Sequence, residues 1–156
     1  MTIAVFSDTH GSAARMLCAV GELRPDALVH LGDGARDAER LQSEFPEIPL
    51  YRVRGNCDAA SALPDELVAE FGAVRALLCH GHRYAVDWGR LDSLVYAAQE
   101  KACSLVLFGH THSAENAEIG GVRLVNPGAA GAGAKRSFAL IEIFENGGVT
   151  AEIRPL

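Results

Sequence analysis

Carboxylate, amide and imidazole side chains gather in five short clusters along the chain: Asp8-Thr9-His10, Gly32-Asp33, Gly55-Asn56-Cys57-Asp58, His80-Gly81-His82 and Gly109-His110-Thr111-His112. Five of the six histidines fall in these clusters. Only His30, inside the apolar run ALVHL, does not, and it reads as a satisfied core histidine. Imidazole and carboxylate together suit borderline divalent ions such as Mn, Fe, Ni, Co or Zn, while oxygen donors also serve Mg. Glycines beside the donors let the backbone turn sharply. Each cluster alone is weak: Asp-x-His leaves many strands, and Gly-Asn-x-Asp is also a turn in which Asn tolerates a left-handed backbone. All of them in this order, each after an apolar run, point to a metal centre.

The elements that must position these clusters follow from periodicity. Short apolar runs predict strands near 2–7, 27–31 and 49–53, and helix-compatible segments at 13–23 and 35–45 lie between them, punctuated by Pro25 and Pro46. This is the pattern of β-α-β units. Residues 66–71 and 74–79 predict a hairpin about Gly72-Ala73, with Gly at the first central position; a helix over 65–71 is the competing reading. Leu91, Leu94, Val95 and Ala98 share one helical face over 91–102, and 104–108 follows as a buried strand. The tail changes to strands at 122–126, 137–144 and 148–154, with the Gly/Ala-rich 128–134 as a loop. The expected fold is α/β, with two packed mixed β-sheets flanked by helices over a single domain, 1–156. In open α/β sheets the ligand crevice lies beyond the carboxyl ends of the strands, so the five clusters should converge.

Taken with Asn126-Pro127-Gly128, these clusters resemble the calcineurin-like metallophosphoesterase superfamily, most closely its small prokaryotic phosphodiesterases. The resemblance spans nearly the whole chain and implies an αββα sandwich. It implies two divalent ions, Mn first among them: one held by Asp8, His10 and His112, the other by Asn56, His80 and His110, with Asp33 bridging. It further implies catalytic parts for Asn56, Asp58 and His82. Asp58 would orient His10 or a neighbour, or simply hold its turn; His82 would touch substrate or support His80. Two positions depart from the larger relatives. Cys57 stands where they carry histidine, and Ala129 where Ser is commoner.

The expected reaction is hydrolysis of a phosphoester, foremost a diester, by a hydroxide bridging two metals about 3.5–4 Å apart. No phospho-enzyme is needed. The rival is a non-catalytic protein-binding scaffold of the same fold, like the retromer subunit; seven residues of ligating type argue against it. A structural zinc protein fits poorly because the cysteines lack ligand spacing. A cysteine nucleophile at Cys57 or Cys79 lacks a glycine-rich anion loop.

Composition narrows the setting. The chain has 156 residues, 49% hydrophobic and 22% charged, with net charge −6. That balance disfavours an extended nucleic-acid surface or an anionic membrane and leaves a small phosphorylated substrate as the expected partner. A homo-oligomer is left open. Twelve Arg against two Lys read as compositional bias, so Arg54, Arg83 and the Lys135-Arg136 pair are noted only for lying near motifs. MTIAVFSDTH offers only four or five apolar residues before an acidic one, so no secretory leader is expected. The scattered Cys18, Cys57, Cys79 and Cys103 suit reduced thiols, and the expected location is cytoplasmic. Among the aromatics, Tyr84 and Trp88 are the better candidates to meet substrate, whereas Tyr51 and Tyr96 read as packing residues.

Overall fold

The computed structural model describes every residue except Ala132 and Ala134. In chain order its elements are β1 (Thr2–Phe6), α1 (Ala14–Leu23), β2 (Ala27–His30), α2 (Ala35–Glu44), β3 (Leu50–Arg52), β4 (Glu66–Phe71), β5 (Val74–Cys79), a 3₁₀ turn (Val86–Trp88), α3 (Asp92–Glu100), β6 (Leu105–Leu107), β7 (Glu115–Ile119), β8 (Val122–Asn126), β9 (Ser137–Ile143) and β10 (Val149–Pro155). Two mixed five-stranded sheets result, ordered β10-β9-β1-β2-β3 and β4-β5-β6-β8-β7.

The two-residue period of a strand sorts side chains to opposite faces, and here both faces are covered. Ile3 and Val5 pack between the sheets with Val29, Leu78, Leu107 and Ile141. Ala4 and Phe6 face the other way, onto Met16 and Val20 of α1 and Leu41 of α2. In the second sheet Leu78 and Leu105 join the shared core, while Leu77 and Val106 meet Leu94 and Ala98 of α3. Full burial of one such side chain is worth roughly 1.5–3 kcal/mol, so a strand apolar on both faces is stable only in the middle of these layers. The sandwich of helices, sheet, sheet and helix is therefore the expected one.

Gly72 has φ +60 and Phe71 pairs with Val74, so the 66–79 segment is the hairpin and the helical alternative for 65–71 is set aside. Two elements were not expected. β7 is an edge strand with four of five residues exposed, so its sequence ENAEI has no apolar stripe to betray it. The 3₁₀ turn spans only three residues. The tail strands also divide: β8 lies parallel to β6, whereas β9 lies antiparallel to β1. The loop expected at 128–134 is described apart from Ala132 and Ala134, which lie outside the described residues. Among the described residues no helix is long and apolar enough to cross a membrane.

Candidate metal centre

Parallel register delivers the clusters to one rim. Phe6 pairs with His30 and His30 with Arg52, so the segments following β1, β2 and β3 leave the first sheet side by side. Leu78 pairs with Leu107 and Leu107 with Val125, which does the same for the second sheet. Hydrogen bonds join the rims, two of them from expected ligand histidines to the first sheet. The His110 N–H donates to Asp8 Oδ2 at 3.1 Å, and His80 Nδ1–H donates to the Leu31 carbonyl at 2.8 Å.

Asp8 is fully buried, yet its Oδ1 receives no hydrogen bond. Imidazole nitrogens surround that oxygen instead: His112 Nε2 at 3.1 Å, His10 Nε2 at 3.8 Å and His80 Nε2 at 4.0 Å. The Nε2 atoms of His10 and His112 are themselves 3.3 Å apart. Donors 2.0–2.1 Å from one tetrahedral ion stand roughly 3.3 Å from each other, so this spacing suits a shared cation. A buried carboxylate oxygen without a donor is costly, and a cation would satisfy it. Asp33 Oδ2 lies 3.4 Å from His80 Nε2 and 3.9 Å from His10 Nε2, between the two expected ligand groups. Burial pushes the Asp33 carboxyl up, but the His80 ring beside it and the hydrogen bond from the Cys57 N–H outweigh that and hold Asp33 well below the usual carboxylate range. His80 donates through Nδ1, which leaves Nε2 facing the site, 3.1 Å from Asn56 Oδ1.

The local backbone is unusual where the donors sit. Among the described residues, five of the eight non-glycine residues with positive φ are Asp8, His10, Asp33, His110 and His112, at +45 to +73. Asp and His tolerate this region better than most residues, but each still costs on the order of 1 kcal/mol that surrounding contacts must offset. One such contact is a close backbone approach. Gly32 has φ +102, and a Cβ there would meet the Gly55 nitrogen at 2.4 Å, so only glycine lets the two loops touch.

The remaining expected residues take more specific places. Asp58 does not reach His10 through any hydrogen bond among the described residues. Its oxygens accept the N–H groups of Asp33 (2.8 Å), Gly34 (3.1 Å), Ala35 (3.0 Å) and Gly55 (3.0 Å). Asp58 thereby clamps two ligand loops and supplies the cap that α2 lacks from its own side chains. Burial raises its pKa, but those N–H groups lower it further, and it stays ionised. Cys57 gives its N–H to Asp33 Oδ1 at 2.8 Å, and its thiol pKa is raised, first by hydrogen bonding to Asp33, so the thiol is neutral. His82 lies 5.4 Å from His80 and 6.1 Å from His110 between ring centroids, with its buried Nδ1 lacking a partner. Desolvation, then the charges of His80 and His110, lower its pKa.

Arg54 and Arg83 both turn onto Asp65, so neither stands free beside the centre. Tyr84 donates its hydroxyl to Glu66 and packs on the α3 core, while also lining the cavity beside His82. Tyr96, expected to pack, is 71% exposed, because its position on α3 lies off the Leu94–Ala98 face. Tyr51 packs edge-on against Phe71, as expected. His30 is buried with both nitrogens partnered, by Thr9 and Gly32.

Three supporting residues escaped the sequence reading. Asp37 accepts the Gly11 N–H at 2.8 Å beside His10. Buried Asn126, known only as part of a motif, donates to the Gly109 carbonyl and Thr111 Oγ1 and so holds the 109–112 loop. Asp87 Oδ2 accepts from His110 Nε2 at 2.9 Å. For Asp87 nothing in the sequence could have said so, since no cluster contains it. Two cavities flank the donors: one of about 600 Å³ reaching from His10 and Asp33 to Cys57 and Ser61, the other of about 540 Å³ bounded by Asp65, His82, Arg83 and Tyr84.

A buried carboxylate ringed by imidazoles at the strand ends of a layered α/β sandwich defines a metal-binding class. The chain belongs to the calcineurin-like phosphoesterase superfamily, whose domain model matches residues 1–146. That membership makes it a protein of the metal-dependent phosphoesterase type. It is 30% identical over 132 residues to the probable metallophosphoesterase YsnB of Bacillus subtilis, a match covering 83% of this chain and 75% of that one. Among solved structures it shares its fold with zinc-complexed Vps29 of Entamoeba histolytica (24% identity, TM-score 0.77, 99% of both chains). It shares it also with an archaeal phosphodiesterase (18% identity, TM-score 0.71, 99% of this chain and 100% of that one).

Proposed function

We propose that the chain hydrolyses phosphodiesters with two divalent cations, one held by Asp8, His10 and His112 and the other by Asn56, His80 and His110. The observation that carries this reading is the Asp33 carboxylate. It is ionised, buried and placed within 4 Å of one histidine from each group, next to the partnerless Asp8 oxygen. When bound, such ions neutralise the phosphoryl oxygens and lower the pKa of a water. The chain's own residues hold this arrangement open: His80, anchored through Nδ1 on the Leu31 carbonyl, presents Nε2 to the site, and Asp58 locks the loops of Asp33 and Asn56. Hydrolysis is direct, because Cys57 is a neutral thiol and no other side chain is needed as nucleophile. His82, which lines the cavity beside His80, meets the substrate in this reading. The cavities on either side of the donors offer room for both substituents of a diester, and the net charge of −6 leaves the cations as the attraction for a small phosphorylated substrate.

The test is a chelator-stripped sample assayed on an activated diester and the matching monoester, with Mn restored stepwise. Activity should vanish on stripping, return with metal and favour the diester. Turnover that survives thorough chelation refutes the reading. Absence of turnover at full metal loading would favour a binding scaffold, the alternative that the Vps29 likeness keeps in view.

A further inference from the structure

Asp87 belongs to no ligand group and to no motif, yet it makes the one hydrogen bond to a His110 ring nitrogen among the described residues. A carboxylate only accepts, so His110 Nε2 carries the proton and Nδ1 keeps the free lone pair. The carboxylate is held in place from below. The 3₁₀ turn is bracketed by Ala85 and Gly89, both left-handed at φ 55 and 67. Between them Val86 is buried in the core with Leu77, Cys79 and Phe108. The Ser93 hydroxyl donates to the Tyr84 carbonyl at 2.6 Å, which ties the strap to the start of α3. With Val86 anchored inward, Asp87 stands on the opposite side, half exposed, beside His110.

We propose that Asp87 is a positioning residue of the metal centre: it holds His110 as the Nε2–H tautomer, makes Nδ1 the coordinating atom, and thereby sets the affinity of the second cation. This rests on the two-cation reading above. Outer carboxylates that orient a ligating histidine typically contribute about 10–100-fold in metal affinity.

Metal-free wild type, Asp87→Asn and Asp87→Glu are titrated with Mn, counting ions and affinities. Wild type should bind two ions. Asp87→Asn should keep the first and bind the second roughly 10–100-fold more weakly, while Asp87→Glu recovers most of that loss. If wild type binds two ions and Asp87→Asn binds both equally well, the positioning role falls and the two-cation reading stands. If wild type binds fewer than two, both fall. Loss of the second ion at every concentration in Asp87→Asn would mark Asp87 as a ligand itself and overturn the proposal. The tautomer is read without metal, from long-range ¹H–¹⁵N correlations of His110: Nε2–H is expected in wild type, and an Nδ1–H signal there overturns the proposal.

Discussion

His30 joins the Asp8 loop to the Asp33 loop, and its burial makes a measurable demand on pH. Its ring is 1% exposed; Nδ1 accepts the Gly32 N–H at 3.3 Å, and Nε2–H donates to Thr9 Oγ1 at 3.2 Å. A second ring proton would face the Gly32 N–H, so only the neutral tautomer fits. Desolvation lowers the pKa to about 4, although Asp37, Asp58 and Asp8 pull the other way. In the unfolded chain the value is about 6.5, so as pH falls the unfolded state binds the proton first. The stability is complete above the unfolded pKa, is lost as pH falls toward the folded pKa, and does not decline further from this group below it. At 1.36 kcal/mol per unit, the loss is about 2 kcal/mol between about pH 7 and pH 5 and about 3 kcal/mol in full. A domain with 5–15 kcal/mol in all would show it clearly. Urea unfolding of metal-free wild type and His30→Gln across that range is the assay, since Gln can still donate to Thr9 and accept from Gly32. His80 biases the profile oppositely, its burial outweighed by Asp33 and Asp8, but it does so in both proteins and cancels in the difference. Wild type should lose about 2 kcal/mol more than the variant. Parallel pH profiles would refute the reasoning.

Asp33→Asn keeps the shape of the central carboxylate and removes its charge. Its kcat should fall by more than the roughly 10–100-fold that loss of an outer partner costs, and near-normal turnover with both metals bound would show that Asp33 does not bridge. At Cys57 the neutral thiol is a poor proton donor for the leaving group. Aryl esters should therefore outpace alkyl esters, on the order of the 10²–10⁴-fold that general acid catalysis contributes, and Cys57→Ala should be mild. A steep loss in Cys57→Ala at unchanged metal content would contradict this, whereas a loss in His82→Ala confined to poor leaving groups would assign the acid to His82.

Much of the fold was legible because it is written in short-range chemistry. TIAVF and ALVH are apolar on both faces and stable only as inner strands, and all four of the β2 side chains are buried. Gly72 was legible as a hairpin turn because few other residues adopt its backbone freely. The candidate donors were legible too, since imidazole, carboxylate and amide after successive strands are an unusual coincidence. Less legible was β7, whose exposed edge position requires no apolar alternation.

What sequence alone determined, then, were the apolar strands, the hairpin turn and the side-chain types able to hold a metal. Only the tertiary structure decided that β9 inserts beside β1 while β8 joins β6, that Asp58 accepts the backbone N–H groups of two ligand loops, and that Asp87 reaches His110. The reason is one of range. Periodicity and turn preference act between near neighbours, whereas Asp8 meets His110 across 102 residues, and that meeting is set by the register within each sheet and the packing of one sheet on the other.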